Sequence, residues 1–247
     1  MQLGLGGWQP FPASYVERNS YGDCKALTNY MQTLLDVVGI EAHPVLIYAG
    51  QTRRPLHEDL PSNQFNHAIL AVPTPQDTLW LETTSQTLPF AHVPSSIEDR
   101  DALLVKSEGS HLVRTPASAM TDNQRVRALT VDLASDGTAT LVGTLTFSGN
   151  EQDRPRAHLA RASSRDQQDW LRDHLALSSF DITDTDFSDA EARASTLTIS
   201  MALDMSRFAT AAGSRLFVDL NPLSRSASIP PEMEAPRTQP VHAFPYP

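Results

Sequence analysis

Apolar residues change their spacing along this chain, and the change divides it. From residue 24 onward, Leu27, Met31, Leu34, Leu35 and Val38 fall on one face at helical period. Asp23 is a good N-terminal cap and Gly39 suits the position just past a C-terminus, so the spacing predicts a helix over residues 24–38. Residues 42–48, 67–72 and 78–83 read as strands, with a polar loop over 50–64. Past residue 110 the apolar period becomes two. Residues 126–134 and 138–147 alternate around Asp136-Gly137, a strong hairpin signal. Leu129, Val131 and Leu133 share one face there, as do Leu141, Gly143, Leu145 and Phe147. Residues 153–177 read as one helix, and alternation returns at 197–203 and 216–220. The polar stretch 95–110 reads as a linker. Two domains are therefore expected: an α+β core over 1–108, its helix against an antiparallel sheet, and a β-rich, sandwich-like domain over 109–247 containing one helix. The final 26 residues hold 7 of the 18 prolines and read as an extended tail.

A chain of 247 residues can bury one large core or two small ones. It carries 29 acidic residues against 19 basic ones, a net charge of −10, and its only lysines are Lys25 and Lys106. With no basic block to displace counterions, nucleic acid is not an expected partner. No run approaches the roughly 18 apolar residues of a transmembrane helix. Residues 1–7 lack a basic segment and a long apolar run, so they do not read as a signal peptide, and the abrupt start reads as a fragment of a longer protein. A single cysteine excludes an internal disulfide framework and a Cys-rich zinc site, and the 8 histidines show no metal-ligand spacing, so no metal or other cofactor is expected. Gly4-Leu5-Gly6-Gly7 lacks the preceding strand and following Lys-Ser/Thr of a phosphate loop.

That cysteine, Cys24, opens the predicted helix. Unpaired N–H groups and the positive end of the helix dipole favour an anion there, which lowers a thiol pKa. A thiolate nucleophile needs a base that takes and returns protons, and the base needs a group to orient it. His67 leads the strand after Phe65-Asn66, and Glu82 lies near the end of the next one. Alone, each has a plainer reading: a small buried side chain, a core histidine, a solvent-facing acid. Their order, cysteine on a helix and then His and acid on successive strands, joins them.

Asn19-Ser20-Tyr21-Gly22-Asp23-Cys24-Lys25, Gly39-Ile40-Glu41-Ala42, Phe65-Asn66-His67-Ala68 and Trp80-Leu81-Glu82-Thr83-Thr84-Ser85-Gln86 together resemble the transglutaminase-like superfamily of papain-like cysteine enzymes. They look most like its bacterial branch, in which this core lies between β-rich domains. The resemblance covers residues 3–95 well and 103–218 loosely. It implies Cys24 as nucleophile, His67 as general base and acid, and position 82 as orienter, where the superfamily usually has Asp and this chain has the longer Glu82. It also implies an oxyanion hole from the Cys24 N–H, with Trp8 or Gln9 as a second donor. A peptide or protein carboxamide substrate, a thioester intermediate, hydrolysis rather than cross-linking, and a periplasmic or secreted location follow from the same resemblance. Arg53, Arg54 and His57, in the loop before His67, are candidate substrate contacts. Two other readings stay open: a catalytically silent scaffold of this fold in a cell-envelope protein, and a carbohydrate-binding or adhesion module in the second half.

Overall fold

The computed structural model describes residues 9–59, 62–177, 179–190, 194–219 and 223. It opens with a helix that apolar spacing does not predict, α1 (Ala13–Asn19), too short to show a period and with Val16 as its buried residue. Next comes α2 (Cys24–Val37), in the predicted place. Asp23 caps it, its carboxylate accepting the Ala26 N–H at 2.9 Å. Gly39 follows the helix at φ +75°, a left-handed conformation free of strain only without a Cβ. Gly22 is required by close approach: a Cβ there would lie 3.1 Å from Val16 Cγ2 and 3.0 Å from Ala26 Cβ.

The chain divides into two compact units, 1–118 and 119–247. The first contains α1, α2 and a five-stranded sheet, antiparallel throughout, in the order 78–81, 67–73, 43–47, 101–104 and 111–114. Strands β1 (His43–Ile47), β2 (His67–Pro73) and β3 (Thr78–Leu81) occupy the three predicted stretches. The linker expected over 95–110 is corrected, because β4 (Asp101–Leu104) lies inside it and pairs with β1, Val45 opposite Leu104. β4 then pairs with β5 (His111–Arg114), so residue 108, expected to end the first domain, lies in the connection between two paired strands. Four-residue strands are too short to show a period; what selects β4 is burial of Ala102 and Leu104 beside Val45 and Ile47.

β2 is buried on both faces. Ile69 and Ala71 join one cluster, with Val45, Ile47 and Ile97, while Leu70 and Val72 join another, with Ala42 and Leu35 of α2. Burying a side chain such as Ile69 stabilises by about 1.5–3 kcal/mol, and truncation to Ala would cost about 2–5 kcal/mol. His67 thus opens the most firmly packed strand of this unit.

The second unit is also mixed α+β. β6 (Arg125–Leu133) and β7 (Ala139–Ser148) form the predicted hairpin, with Leu133 opposite Ala139. A 3-10 turn at Gly149–Gln152 leads into α3 (Asp153–Leu159), and α4 (Ser164–His174) follows. The single helix expected over 153–177 is therefore corrected to two. Ser163 breaks it: its hydroxyl accepts the Asp166 N–H at 3.3 Å and starts a new helix. β8 (Asp181–Asp186) and β9 (Thr196–Met205) complete a sheet of order β6-β7-β9-β8, and β10 (Ala209–Ala212) pairs only with β11 (Arg215–Val218). The sandwich expectation is corrected as well. Leu141, Leu145 and Phe147 of β7 and Leu197, Ile199 and Leu203 of β9 pack with Leu159, Leu171 and Leu175, so helices cover the sheet where a second sheet was expected. β8 was not predicted, since Ile182 is its one apolar residue; edge pairing with β9 holds it. Residue 220 and, apart from residue 223, the Pro-rich tail lie outside the described residues. Among the described residues no helix is long and apolar enough to cross a membrane.

Candidate active site

Three local events bring Cys24, His67 and Glu82 together. The Asp23 cap sets Cys24 as the first residue of α2. His67 is the first residue of β2, opposite Ile47, the last of β1. Glu82 immediately follows β3, whose ladder with β2 ends at the Leu70–Leu81 pair. Cys24 is half-buried, neither sealed in the core nor fully open. The His67 and Glu82 side chains are 15% and 8% exposed, so their contact is largely shielded from water.

His67 Nε2 donates to Glu82 Oε2 at 2.7 Å. A carboxylate only accepts, which places the proton on Nε2 and leaves Nδ1 for the Cys24 thiol, to which the ring is hydrogen-bonded. The longer arm of Glu82 is folded back and pinned. Its Oε1 accepts the Thr84 N–H at 2.8 Å and the Thr84 hydroxyl at 2.5 Å, so both carboxylate oxygens are engaged.

The electrostatics follow from these contacts. Burial works against a Cys24 anion, but the hydrogen bond and charge of His67 and the Ala68 N–H outweigh it and the nearby Asp23, so the thiol titrates below its ordinary 9.0. Burial also opposes the imidazolium, yet the bonds to Cys24 and Glu82 raise His67 to about 9. Burial pushes Glu82 upward, while His67 and Thr84 hold it below its usual 4.5. All three shifts favour thiolate, imidazolium and carboxylate over the neutral forms, and the sulfur and ring titrate as one coupled pair. An activated thiolate beside a held proton donor can add to an electrophilic carbon and protonate the group that leaves.

Sequence reasoning missed the residues that support this trio. Thr28, one helical turn after Cys24, is buried; its hydroxyl donates to the Ala68 carbonyl at 3.2 Å and lies 3.1 Å from Thr83 Oγ1. Cys24 takes the Ala68 N–H, so one helix face engages both backbone polar groups of the residue after His67, where the ladder to β3 has stopped. The i, i+4 spacing and a threonine inside a helix, where it is a poor former, were the available signals. Asn66 is a second support. It donates to the Ala49 carbonyl at 2.9 Å and accepts the Ala49 N–H at 2.7 Å, tying the entry of β2 to the exit of β1.

Other expectations are not brought to the trio. Trp8 lies outside the described residues. Gln9 is exposed, and no hydrogen bond joins it to Cys24, His67 or Glu82 among the described residues. Arg53 is spent on an ion pair with Asp99. The first N–H of α2, that of Cys24, has no acceptor within its helix by virtue of position. Among the described residues no group of three His, Cys, Asp or Glu side chains is placed to hold a metal ion. Compared with known proteins, the chain matches no family model, and no curated protein and no solved structure is significantly similar to it.

Proposed function

We propose that this protein is a transglutaminase-like cysteine enzyme that cleaves a carboxamide or peptide bond through a thioester on Cys24. Cys24 Sγ attacks the carbonyl carbon, forming a C–S bond, and the oxygen takes up the negative charge toward the Cys24 N–H. His67 gives its proton to the nitrogen as the C–N bond breaks and an amine leaves. His67 then takes a proton from water, which attacks the thioester, releases a carboxylic acid and returns the thiolate. Glu82 stabilises the imidazolium in both halves and holds the ring in one tautomer. An amine in place of water would give transamidation. The resemblance of the four motifs supports hydrolysis of a peptide or protein substrate in a periplasmic or secreted setting.

The observation that carries this reading is that one imidazole is hydrogen-bonded at once to the sole cysteine and to a buried carboxylate. A silent scaffold has no use for a half-buried sulfur so engaged. Iodoacetamide reactivity across pH, with turnover of a glutamine-donor and peptide library, tests it. The alkylation rate should rise with a midpoint below 9.0, and His67→Ala should return that midpoint to the ordinary thiol range. Library turnover should vanish in Cys24→Ala. An ordinary midpoint in the wild type, or turnover that survives Cys24→Ala, rules the reading out.

A further inference from the structure

The loop that ends at His67 borders an open cleft of about 520 Å³, within the size range of small-ligand sites. Tyr48, Arg54, His57, Asn63, Phe65 and Asn66 line it, and Asn66 adjoins His67 in the chain. Its walls are fixed by two reciprocal clasps between side-chain amide and backbone. Gln64 accepts the His57 N–H at 2.8 Å and donates to the His57 carbonyl at 3.0 Å. Asn66 does the same to Ala49. These clasps hold His57 to Gln64 and Ala49 to Asn66 before any ligand arrives, which lowers the ordering cost of binding there.

Inside this frame the two neighbouring arginines have different fates. Arg53 is neutralised by Asp99. Arg54 lies over the Tyr48 ring, its Cζ 4.3 Å from the ring centroid, and among the described residues no carboxylate pairs with it, although Glu58 and Asp59 follow in the same loop. Stacking fixes the plane of a guanidinium while leaving its N–H edge open, the geometry that takes a carboxylate by two parallel hydrogen bonds.

We infer that this cleft is a subsite for a carboxylate of the peptide donor, with Arg54 as the residue that selects it. The inference rests on the acyl-transfer reading above for the identity of the ligand as a substrate, but its binding chemistry stands apart from turnover. A peptide anchored on Arg54 lies alongside the entry of β2, where His67 meets Cys24. The carboxylate belongs either to an acidic side chain or to a free C-terminus.

Fluorescence anisotropy on the full chain carrying Cys24→Ala separates these sources without catalysis. Three labelled peptides of one length serve as probes: an amidated one with a glutamate, a neutral one with a free C-terminal carboxylate, and a neutral amidated one. At least one anionic peptide should bind about tenfold tighter than the neutral amidated one, and Arg54→Gln should abolish that preference. Arg53→Gln, which touches only the Asp99 pair, should retain it. Equal binding of all three peptides, or a preference that survives Arg54→Gln, overturns the inference. Because the assay needs no thiolate, failure of the Cys24 chemistry leaves this result readable, and failure here leaves the Cys24 chemistry untouched.

Discussion

Each unit buries an ionisable side chain among hydrogen-bond partners, to opposite effect. In the second unit Arg156 is fully buried. Nε and Nη2 donate to Gln152 Oε1, at 3.1 and 2.9 Å, Nη1 to the Asp189 carbonyl at 2.6 Å, and Nη2 also to the Ala194 and Thr196 carbonyls at 2.9 and 2.7 Å. Every nitrogen is consumed and none faces water, so the group stitches α3 to the strand region. In the first unit the bonds around His67 stop short of closure. Glu82 and Cys24 both bond the ring, but Cys24 stays only half-buried. A saturated buried charge is architecture, whereas the bonds around His67 end on a half-buried cysteine.

Removing the orienter should break the contrast most sharply. Glu82→Gln keeps the shape but offers Nε2 a group that can donate as well as accept, so turnover should fall about 10²- to 10⁴-fold, read as kcat on any active substrate. It should also pull the alkaline limb of the pH profile down from about 9, since Glu82 helps raise His67. A stability effect carries the same sign. His67 is raised from 6.5 to about 9, so its contribution to folding is complete below pH 6.5 and is lost as pH rises through about 9. An unchanged limb in Glu82→Gln would mean that the 2.7 Å contact does not govern the ring.

Next in size is Arg156→Met. It strands the Gln152 oxygen and three carbonyls, and breaking one side of a buried charged network costs about 3–5 kcal/mol. Urea denaturation should report that loss, while the iodoacetamide rate of folded protein stays at the wild-type value. A loss of under about 1 kcal/mol would show that the second unit does not depend on its buried cation. The smallest expected effect is that of Thr28→Val, which removes one hydroxyl bond to Ala68, worth about 1 kcal/mol or about fivefold in kcat/KM. Thr28→Ser should restore it. If valine and serine behave alike, Thr28 only fills space.

The parts of the site that were legible in the sequence are those that sit at element boundaries. Asp23 and Gly39 bracket α2 through local backbone chemistry, and the double-sided burial of β2 appears as an unbroken apolar run behind His67. Thr28, Ala68 and Thr84 were not legible. A threonine hydroxyl can bond its own helix, solvent or a distant carbonyl, and only the docking of α2 where β3 stops selects among these. β4 was hidden for a related reason: four residues carry too little periodicity, and pairing with β1 defines them as a strand. Read from spacing alone, residues 153–177 merge two helices, although Ser163 and Asp166 already held the capping signal that separates them.

Periodicity, capping types and the Asp136-Gly137 turn determined α2, the first three strands, the β6–β7 hairpin and β9, because each acts over a few neighbouring residues. They also determined that the cysteine would head a helix. Tertiary structure decided which strands are neighbours, that helices and not a second sheet cover β7 and β9, and that Glu82 bends back onto Thr84 to meet Nε2. Those outcomes depend on contacts between residues distant in sequence, where a few tenths of an ångström separate a hydrogen bond from a gap and no local pattern records the difference.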